Sequence, residues 1–296
     1  MASTEGALNV DRIADEVLDA LHGYTRHQEQ VTALTSSLNT SATTFTVAEP
    51  NLVSRGLVEV GDEQMMVKAV DASTSTVTLQ PFGRAVGNTT ADSHASGDKL
   101  ITSPLYTRRR VRDAIYATLR EIFPAVFAVG ETLLDVTIVR TNYPLPSDCY
   151  DVLSVFWHVP GPSQEWAPLR RWRVNRTSTG NEIEALGKLF PGNDRVRVLY
   201  IKDLPTSITT DDLSSLGYAQ ETHDILVLGA VARLLLFTEP SRLQVQSVQS
   251  HGRAEVVPAG AIKALAQDAY ALFQRRVAVE ADRLMQRYAT QPHWNR

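Results

Sequence analysis

The feature that most constrains the fold is a block from about residue 31 to residue 102 whose composition differs from the rest of the chain. Thr, Ser and Val dominate it, and residues that favour helices are scarce. Turn-forming residues recur at intervals of roughly 8–12 residues, a spacing typical of all-β modules. The block therefore predicts a small β-barrel or sandwich with a hairpin loop at Asp71–Ser75. The predicted strands are Thr43–Val47, Leu57–Val60, Gln64–Val70, Thr76–Gln80 and Lys99–Thr102.

Helical patterns flank this block. Apolar residues recur at spacings of three and four between residues 9 and 22, which predicts an amphipathic helix. Asn9 or Asp11 can cap its start, and Gly23 can end it. Its apolar face can dock either on the chain's own body or on a neighbouring subunit.

The C-terminal part mixes strands and helices. Helices are predicted at Thr107–Ile122, at His223–Phe237 with an end at Pro240, and from Pro258 to about Ala289. A polar loop or short helix is expected at Thr177–Gly192 and an exposed connection at Ser241–Val257. Further strands are predicted at Leu134–Arg140, Tyr150–Val159, Ala167–Val174 and Arg195–Ile201.

These patterns predict an α+β fold with three parts. Residues 1–30 supply an N-terminal helix of a helical body, and residues 31–103 form an inserted all-β barrel or sandwich module. Residues 104–296 form an α+β body with a long C-terminal helix and an exposed tail. The 296 residues, 43% of them hydrophobic, are enough for a sizeable core.

Charge and cysteine content exclude several classes of protein. The formal net charge of -4 does not favour a protein held to nucleic acid by phosphate contacts. The single cysteine, Cys149, excludes a disulfide framework and a cysteine-rich zinc site, and we expect it to be a small core residue. No segment has the ~20 apolar residues of a membrane span, and the N-terminus lacks the features of a signal peptide. We therefore expect a protein made and kept in a cytoplasm-like compartment until assembly.

Within the β block, the runs Gly56–Val70 and Gly83–Asp98 carry a recognisable pattern. It resembles a module common in neck and tail proteins of long-tailed bacteriophages, although Ala85 stands where that pattern has a glycine. Together with the arginine-rich helix after Pro104 and the helical C-terminal region, it makes the chain similar to head-to-tail connector adaptors. The matching residues of the module are Arg84, Gly87, Ala91, His94 and Gly97.

This resemblance implies a structural virion subunit, assembled in the host cytoplasm, that forms a ring of usually twelve copies beneath the portal protein. Its partners would be the portal, neighbouring copies of itself and downstream neck or tail proteins, with genomic DNA passing nearby and no membrane involved. The exposed segment Thr290–Arg296 would reach toward the portal, with Pro292, His293, Trp294 and Arg296 as contacts. A position elsewhere in the tail or baseplate is the alternative within the same class.

Three polar residues of the module lie close together in the sequence. Arg84, Asp92 and His94 can bond one another and the turn backbone, which predicts a structural lock of a long loop. The alternative is a metal or acid–base site that includes Asp98, and a hydrolase using His94 and Asp92 is the competing function. No established catalytic or phosphate-binding motif occurs in the sequence, so we expect neither enzymatic activity nor a cofactor.

Two basic segments are candidate subunit interfaces. The first segment, from Trp166 to Trp172, combines tryptophans and arginines. These residue types are enriched at interface anchors, which favours a subunit contact over nucleic-acid stacking. The second segment, Arg108–Arg112, lies at the start of a predicted helix. Arginines there oppose the helix dipole, so they suit an acidic partner or phosphate, or simply solvent. The residues are Trp166, Arg170, Arg171 and Trp172 in the first segment, and Arg108, Arg109 and Arg112 in the second.

Overall fold

A computed structural model describes residues 8–22, 29–137, 140–158, 165–178, 180–185, 195–206, 208, 211–248 and 261–288. The chain divides into two compact units. We call the first the sheet unit (Met1–Ile13, Tyr116–Gly229 and Gln267–Arg296) and the second the barrel unit (Ala14–Ile115 and Ala230–Ala266). Helices and several antiparallel sheets are both present, so the predicted α+β class is confirmed.

Four α-helices occur in the described part of the chain. They are α1 (Val10–His22), α2 (Arg108–Ile122), α3 (His223–Val248) and α4 (Ala261–Arg287). Asn9 caps α1, since its Oδ1 accepts a hydrogen bond of 2.7 Å from the backbone N–H of Asp11. On the apolar face of α1, all residues but the half-buried Leu18 are fully buried by the chain itself, which favours docking on its own body over docking on a neighbour.

The barrel unit contains a sheet of six antiparallel strands in the order β1-β6-β3-β4-β5-β2. Beyond its two edge strands, Leu34 forms an antiparallel bridge with Val47, and the backbone N–H of Thr35 donates to the carbonyl of Thr46 at 2.9 Å. These bonds join the edges, so the sheet closes into a small barrel. The strands are β1 (Gln30–Ala33), β2 (Thr44–Thr46), β3 (Gly56–Val60), β4 (Glu63–Asp71), β5 (Thr76–Leu79) and β6 (Lys99–Thr102).

Alternation of side chains explains the core of the barrel. Along β5, Val77 and Leu79 are buried and the two threonines between and before them are half-buried. All five predicted strands are present within a few residues of their predicted bounds. The strand β1 was not predicted, because four residues with two polar side chains carry little periodic signal.

The sheet unit contains two further antiparallel sheets, in the orders β10-β9-β13-β7 and β11-β12-β8. They share one hydrophobic core, in which Trp172, Val152, Val196 and Val198 are at most 1% exposed. Their strands are β7 (Val129–Asp135), β8 (Asn142–Pro144), β9 (Cys149–His158), β10 (Trp166–Pro168), β11 (Trp172–Thr177), β12 (Gly180–Ala185) and β13 (Arg195–Lys202).

Several predicted elements of the sheet unit are wrong in detail. Part of the segment predicted as a polar loop or short helix is the strand β12, which pairs with both β11 and β8 and buries Ile183 between two glutamates. The single strand predicted from residue 167 is two strands, β10 and β11, in different sheets. The first strand, β7, ends at Asp135 because its pairing with β13 ends there.

The predicted end of α3 at Pro240 is also wrong. The helix continues through this residue to Val248. A proline inside a helix removes one backbone donor and crowds the preceding turn, but it need not end the helix when the following residues can resume the pattern. The predicted exposed connection is therefore helical as far as Val248, and its remainder lies outside the described residues.

The predicted interface role of Trp172 conflicts with its position. The side chain is 0% exposed and lies in the core of the sheet unit, whereas its neighbours Arg171 and Arg173 are exposed. The alternation of a β-strand turns the tryptophan inward and the arginines outward. Trp172 is thus a core residue and is not available to a partner.

We predict that Trp172→Ala lowers the free energy of unfolding of the sheet unit by about 3–5 kcal/mol, because it empties a large buried site. The matched control is Trp166→Ala, which removes the same side chain from a half-buried position and should cost less than half as much. Denaturant titration followed by hydrogen exchange of β9 and β13 measures both. Equal losses for the two variants would contradict the assignment of Trp172 to the core.

Candidate functional site

In the barrel unit, five hydrogen bonds converge on the carboxylate of Glu63, at the start of β4. The residue is 1% exposed. Its Oε1 accepts from Arg84 Nε at 2.6 Å and from the backbone N–H of Ala85 at 3.2 Å. Its Oε2 accepts from Arg84 Nη2 at 2.7 Å, from His94 Nε2 at 2.9 Å and from the backbone N–H of Asp92 at 3.1 Å. One carboxylate therefore accepts hydrogen bonds from both ends of the segment 84–94.

Arg84 uses every N–H of its guanidinium group. Besides the two bonds to Glu63, Nη1 donates to the carbonyls of Asn39 and Ala42 at 2.6 and 3.1 Å, and Nη2 donates to the carbonyl of Asp92 at 2.8 Å. Such a fork of five donors fits arginine and not lysine. The arginine thus ties the segment after β1 to the long connection between β5 and β6.

The chain around Arg84 is also held by its backbone. The N–H of Met66 donates to the carbonyl of Gly83 at 2.7 Å. A Cβ at Gly83 would lie 2.7 Å from the carbonyl oxygen of Gln80 and 2.8 Å from that of Met66, so only glycine allows this approach. The backbone contacts of Gly83 therefore help to fix the position of Arg84.

The structure brings together the three predicted lock residues, but in a different way from the prediction. His94 contacts Glu63 and not Asp92, and its backbone exchanges two hydrogen bonds of 2.8 Å with Leu38. Asp92 takes part through its backbone, while its side chain accepts from the N–H of Ser93. Glu63, which lies at the centre of the cluster, is not among the predicted lock residues. The predicted structural role of the cluster remains a prediction, now with defined contacts.

These contacts do not favour the hydrolase alternative. A His–Asp dyad needs the two side chains within hydrogen-bond reach, and a catalytic base needs access to a substrate. Here the ring nitrogen Nε2 of His94 is bonded to Glu63, and the residue is 9% exposed. Among the residues that the structure describes, no cluster of three His, Cys, Asp or Glu side chains could hold a metal ion.

Opposing effects act on the pKa of Glu63. Burial raises it, but the hydrogen bonds from Arg84, His94 and the backbone of Asp92 and Ala85 lower it more, so that the pKa falls from 4.5 to about 2. The carboxylate is therefore charged at any physiological pH and is neutralised locally by the guanidinium group.

A second buried carboxylate, that of Glu59 on β3, behaves in the opposite way. It is 2% exposed, and its Oε1 accepts from the backbone N–H of Arg108, at the start of α2, at 2.8 Å. Burial raises its pKa from 4.5 to about 7, although the bond from Arg108 lowers it, and the nearby carboxylates of Asp62 and Glu29 raise it further. Glu59 thus caps α2 while lying close to its point of half-protonation at neutral pH.

The arginines at the start of α2 are largely engaged within the barrel unit. Arg108 Nη1 donates to Asp15 at 2.6 Å, and Arg112 Nη1 donates to Asp62 at 2.8 Å. Arg109 donates to the carbonyl of Asn88. Local carboxylates therefore offset the unfavourable placement of these cations near the helix start. Whether they also contact a neighbouring subunit remains a prediction.

The thiol of Cys149 and a nearby cleft lie in the sheet unit. Cys149 is 5% exposed, and burial raises the pKa of its thiol to about 12, so the predicted core role is confirmed and the thiol stays protonated. A cleft of about 460 Å³ is lined by residues that include Asp148, Lys202, Asp203 and Tyr218. Burial, aided by Asp203, raises the pKa of Tyr218 to about 12, so its hydroxyl also stays protonated.

Comparison with protein families decides the class of the protein. A family model described as SU10 adaptor protein matches residues 83–292, which is more than half of the chain. The chain belongs to the SU10 adaptor protein family. This membership confirms the predictions of a structural head-to-tail connector adaptor and of a virion component.

Solved structures with similarity to the adaptor include two necks of gene transfer agent (GTA) particles. The neck of an empty GTA particle computed with C6 symmetry is 17% identical, with 55% of this chain and 76% of that chain covered and a TM-score of 0.22. The neck of a native GTA particle computed with C12 symmetry is 17% identical, with 57% and 82% covered and a TM-score of 0.22. No curated protein matches the adaptor significantly. None of the described helices is long and apolar enough to cross a membrane.

The other predicted interface residues of the adaptor lie at a sheet edge. Trp166 is half-buried in the edge strand β10 and makes an edge-on ring contact with His158 at 5.5 Å. Arg170 and Arg171 follow this strand and are exposed. Their contact with a neighbouring subunit remains a prediction. The predicted portal contacts Pro292, His293, Trp294 and Arg296 lie outside the described residues.

We predict that Glu63→Gln destabilises the barrel by about 3 kcal/mol at pH 7, because it leaves a buried guanidinium group without its counter-charge. Because the pKa of Glu63 is lowered from 4.5 to about 2, its contribution is present above pH 4.5 and is lost as the pH falls toward 2. The variant should lack this dependence. Hydrogen exchange of β4 and β6 amides across this range measures both effects.

The control for Glu63→Gln is Asp113→Asn, which removes the carboxylate of an exposed ion pair with Arg109 in the same unit. Exposed pairs contribute roughly 0–1 kcal/mol, so this variant should behave as the wild type. A small effect of Glu63→Gln, comparable to that of the control, would contradict the assigned role of the lock.

We predict that Glu59→Gln stabilises the barrel unit at pH 8 by about 2–3 kcal/mol and changes it by less than about 1 kcal/mol at pH 5. The raised pKa means that the stability from protonated Glu59 is complete below pH 4.5 and is lost as the pH rises through about 7. Glutamine keeps the acceptor for Arg108 without this cost. Protection of β3 amides at both pH values is the measurement, and a destabilised variant at pH 8 would refute the prediction.

Proposed function

We propose that this adaptor forms a ring of identical copies, twelve in number, that docks beneath the portal protein and joins it to downstream neck or tail proteins. The observation that carries the proposal is the match of residues 83–292 to an adaptor family. The genomic DNA would pass through the ring without being bound tightly, which suits the net charge of -4.

In this proposal the protein acts through packing and not through catalysis. A helical body would carry the inserted β module, and load would pass through interfaces between rigid parts. The contacts of Glu63, Arg84 and His94 support this function, since they occupy the most reactive side chains of the module with one another and with the backbone. A ring of more than two copies requires two different surfaces on each copy that fit together.

We propose distinct surfaces for the different partners. The segment Thr290–Arg296 would contact the portal, with Trp294 as an aromatic anchor. The exposed edge at Trp166, Arg170 and Arg171 would contact a neighbouring copy, and Arg108, Arg109 and Arg112 would support a second contact between copies. The aromatic and arginine content of these surfaces is typical of interface anchors.

We predict that deletion of residues 290–296 weakens binding to an assembled portal ring at least 10-fold and leaves the fold intact, because it removes the portal-contacting anchor. Trp294→Ala should account for most of this loss. Co-sedimentation of purified adaptor with portal rings measures binding, and circular dichroism checks the fold.

Two results would count against the proposal. Unchanged portal binding by the truncated chain would refute the role of the tail. A wild-type chain that stays monomeric with portal rings present would refute the ring function itself.

A further inference from the structure

In the part of α4 whose side chains the structure describes, a narrow stripe of the surface is buried. Ala266, Phe273, Glu280 and Leu284 are at most 7% exposed, and they recur at spacings of seven and four residues. Most of the remaining residues of this helix are exposed or half-buried. A helix of 27 residues with one buried stripe has room for contacts with other molecules on its other faces.

One flank of the buried stripe carries large apolar side chains. Leu272 is 51% exposed and Val279 is 52% exposed, seven residues apart. At about 100° per residue, both lie roughly 100° to one side of the buried stripe. We call these two residues the large flank.

A second line of exposed residues, about 160° around the helix from the buried stripe, carries small side chains. Ala271 and Ala278 are exposed and also lie seven residues apart, about 100° around the helix from the large flank. Met285, which is 52% exposed, continues this line by a further seven residues. We call Ala271 and Ala278 the small flank. Two exposed apolar lines with the same period and different side-chain size are complementary in shape, as in knobs-into-holes packing.

Between the flanks runs a line of alternating charges. Asp268, Arg275 and Asp282 are exposed and follow one another at steps of seven residues. None of the three makes an ion pair with another residue in the described part of the chain. Their order matters because two such lines side by side repel at equal height, whereas a shift of one heptad places Arg275 of one line beside an aspartate of the other.

We propose that α4 mediates the contact between consecutive copies, with the large flank of one copy packed on the small flank of the next. This inference rests on the proposed ring function and adds α4 to the surfaces proposed there for contacts between copies. Each copy uses the large flank for one neighbour and the small flank for the other neighbour. Such a contact between two different surfaces can repeat from copy to copy and close into a ring. A stagger of one heptad, about 10 Å along the helix, pairs Arg275 with Asp268 or Asp282 of the neighbour.

A second copy fits this surface better than other partners. A nucleic acid would meet two carboxylates for one guanidinium group between the flanks, which is unfavourable near phosphates. A bilayer would have to bury the same three charges together with the apolar flanks. A second copy supplies both the matching side-chain sizes and the opposite charges at the required spacing.

Disulfide cross-linking between cysteines introduced into the otherwise unchanged, assembled protein tests the interface. Because Cys149 is buried and its thiol is protonated, introduced cysteines react without competition from it. The stagger brings residue 272 of one copy near residue 278 of the next, or residue 279 near residue 271, depending on its direction. We therefore expect one of two double variants, Leu272→Cys with Ala278→Cys or Val279→Cys with Ala271→Cys, to form a ladder of covalent multimers.

The ladder has an internal control. Within one helix the two cysteines of either variant lie about 9–12 Å apart along the axis, which is too far for a disulfide. Each single-cysteine variant can form dimers at most. If both double variants stop at dimers while the same proteins still form rings with the portal, the inference is overturned and the proposed function stands. If the wild-type chain forms no ring, the proposed function fails.

Exchange of charges provides an independent test. Arg275→Asp should raise the concentration needed for half-maximal assembly at least 10-fold, since it aligns like charges along the interface. Adding Asp268→Arg and Asp282→Arg to this variant restores the alternation and should restore assembly. Ala72→Asp, at an exposed turn of the barrel, is the control for added charge. Normal assembly of the Arg275→Asp variant, or no rescue by the triple variant, would contradict the proposed stagger. Light scattering against concentration gives both values.

Discussion

The structure of the barrel unit depends on one buried carboxylate. An isolated charge with the low exposure of Glu63 would be costly, and it persists because five N–H donors, two of them on the guanidinium group of Arg84, surround it. The same contacts hold a connection of roughly twenty residues between β5 and β6 that has almost no regular structure of its own. Such a connection can stay ordered in a small module only if its backbone groups find partners, and Glu63 with Arg84 supplies them.

The two buried glutamates of the β3–β4 hairpin show that burial alone does not set a pKa. Both Glu59 and Glu63 are at most 2% exposed, yet the pKa of the first rises to about 7 and that of the second falls to about 2. The difference lies in the donors: Glu59 accepts from one backbone N–H, whereas Glu63 also has a bidentate arginine and a histidine. Glu63 therefore stabilises the folded barrel near neutral pH, and Glu59 limits its stability there.

Sequence periodicity predicted the barrel strands β2 to β6 and the bounds of α1 and α2, because alternation and capping are local signals. It also singled out Arg84 and His94. It missed Glu63, which lies 21 residues before Arg84 and, as a charged residue at a strand start, looks like a surface residue. Only the pairing of β3 with β4 turns its side chain inward, and strand pairing is not a local property. The error over Trp172 was avoidable, since the alternation of Arg171, Trp172 and Arg173 already indicated a buried tryptophan between exposed arginines.

Side chains that have partners within one copy hold that copy together, whereas exposed side chains without such partners remain available for assembly. Inside the barrel unit, the arginines that the sequence suggested for partners are largely matched to Asp15, Asp62 and backbone carbonyls. Along α4 the situation is reversed, because large apolar side chains stay half exposed and three alternating charges have no partner among the described residues. An adaptor has to be stable as a single copy before it assembles, so its buried charges must be satisfied internally, while its assembly surface must remain unsatisfied until a neighbour arrives. An arginine that is already paired within one copy is therefore weaker evidence for an interface than an exposed charge that has no partner among the described residues.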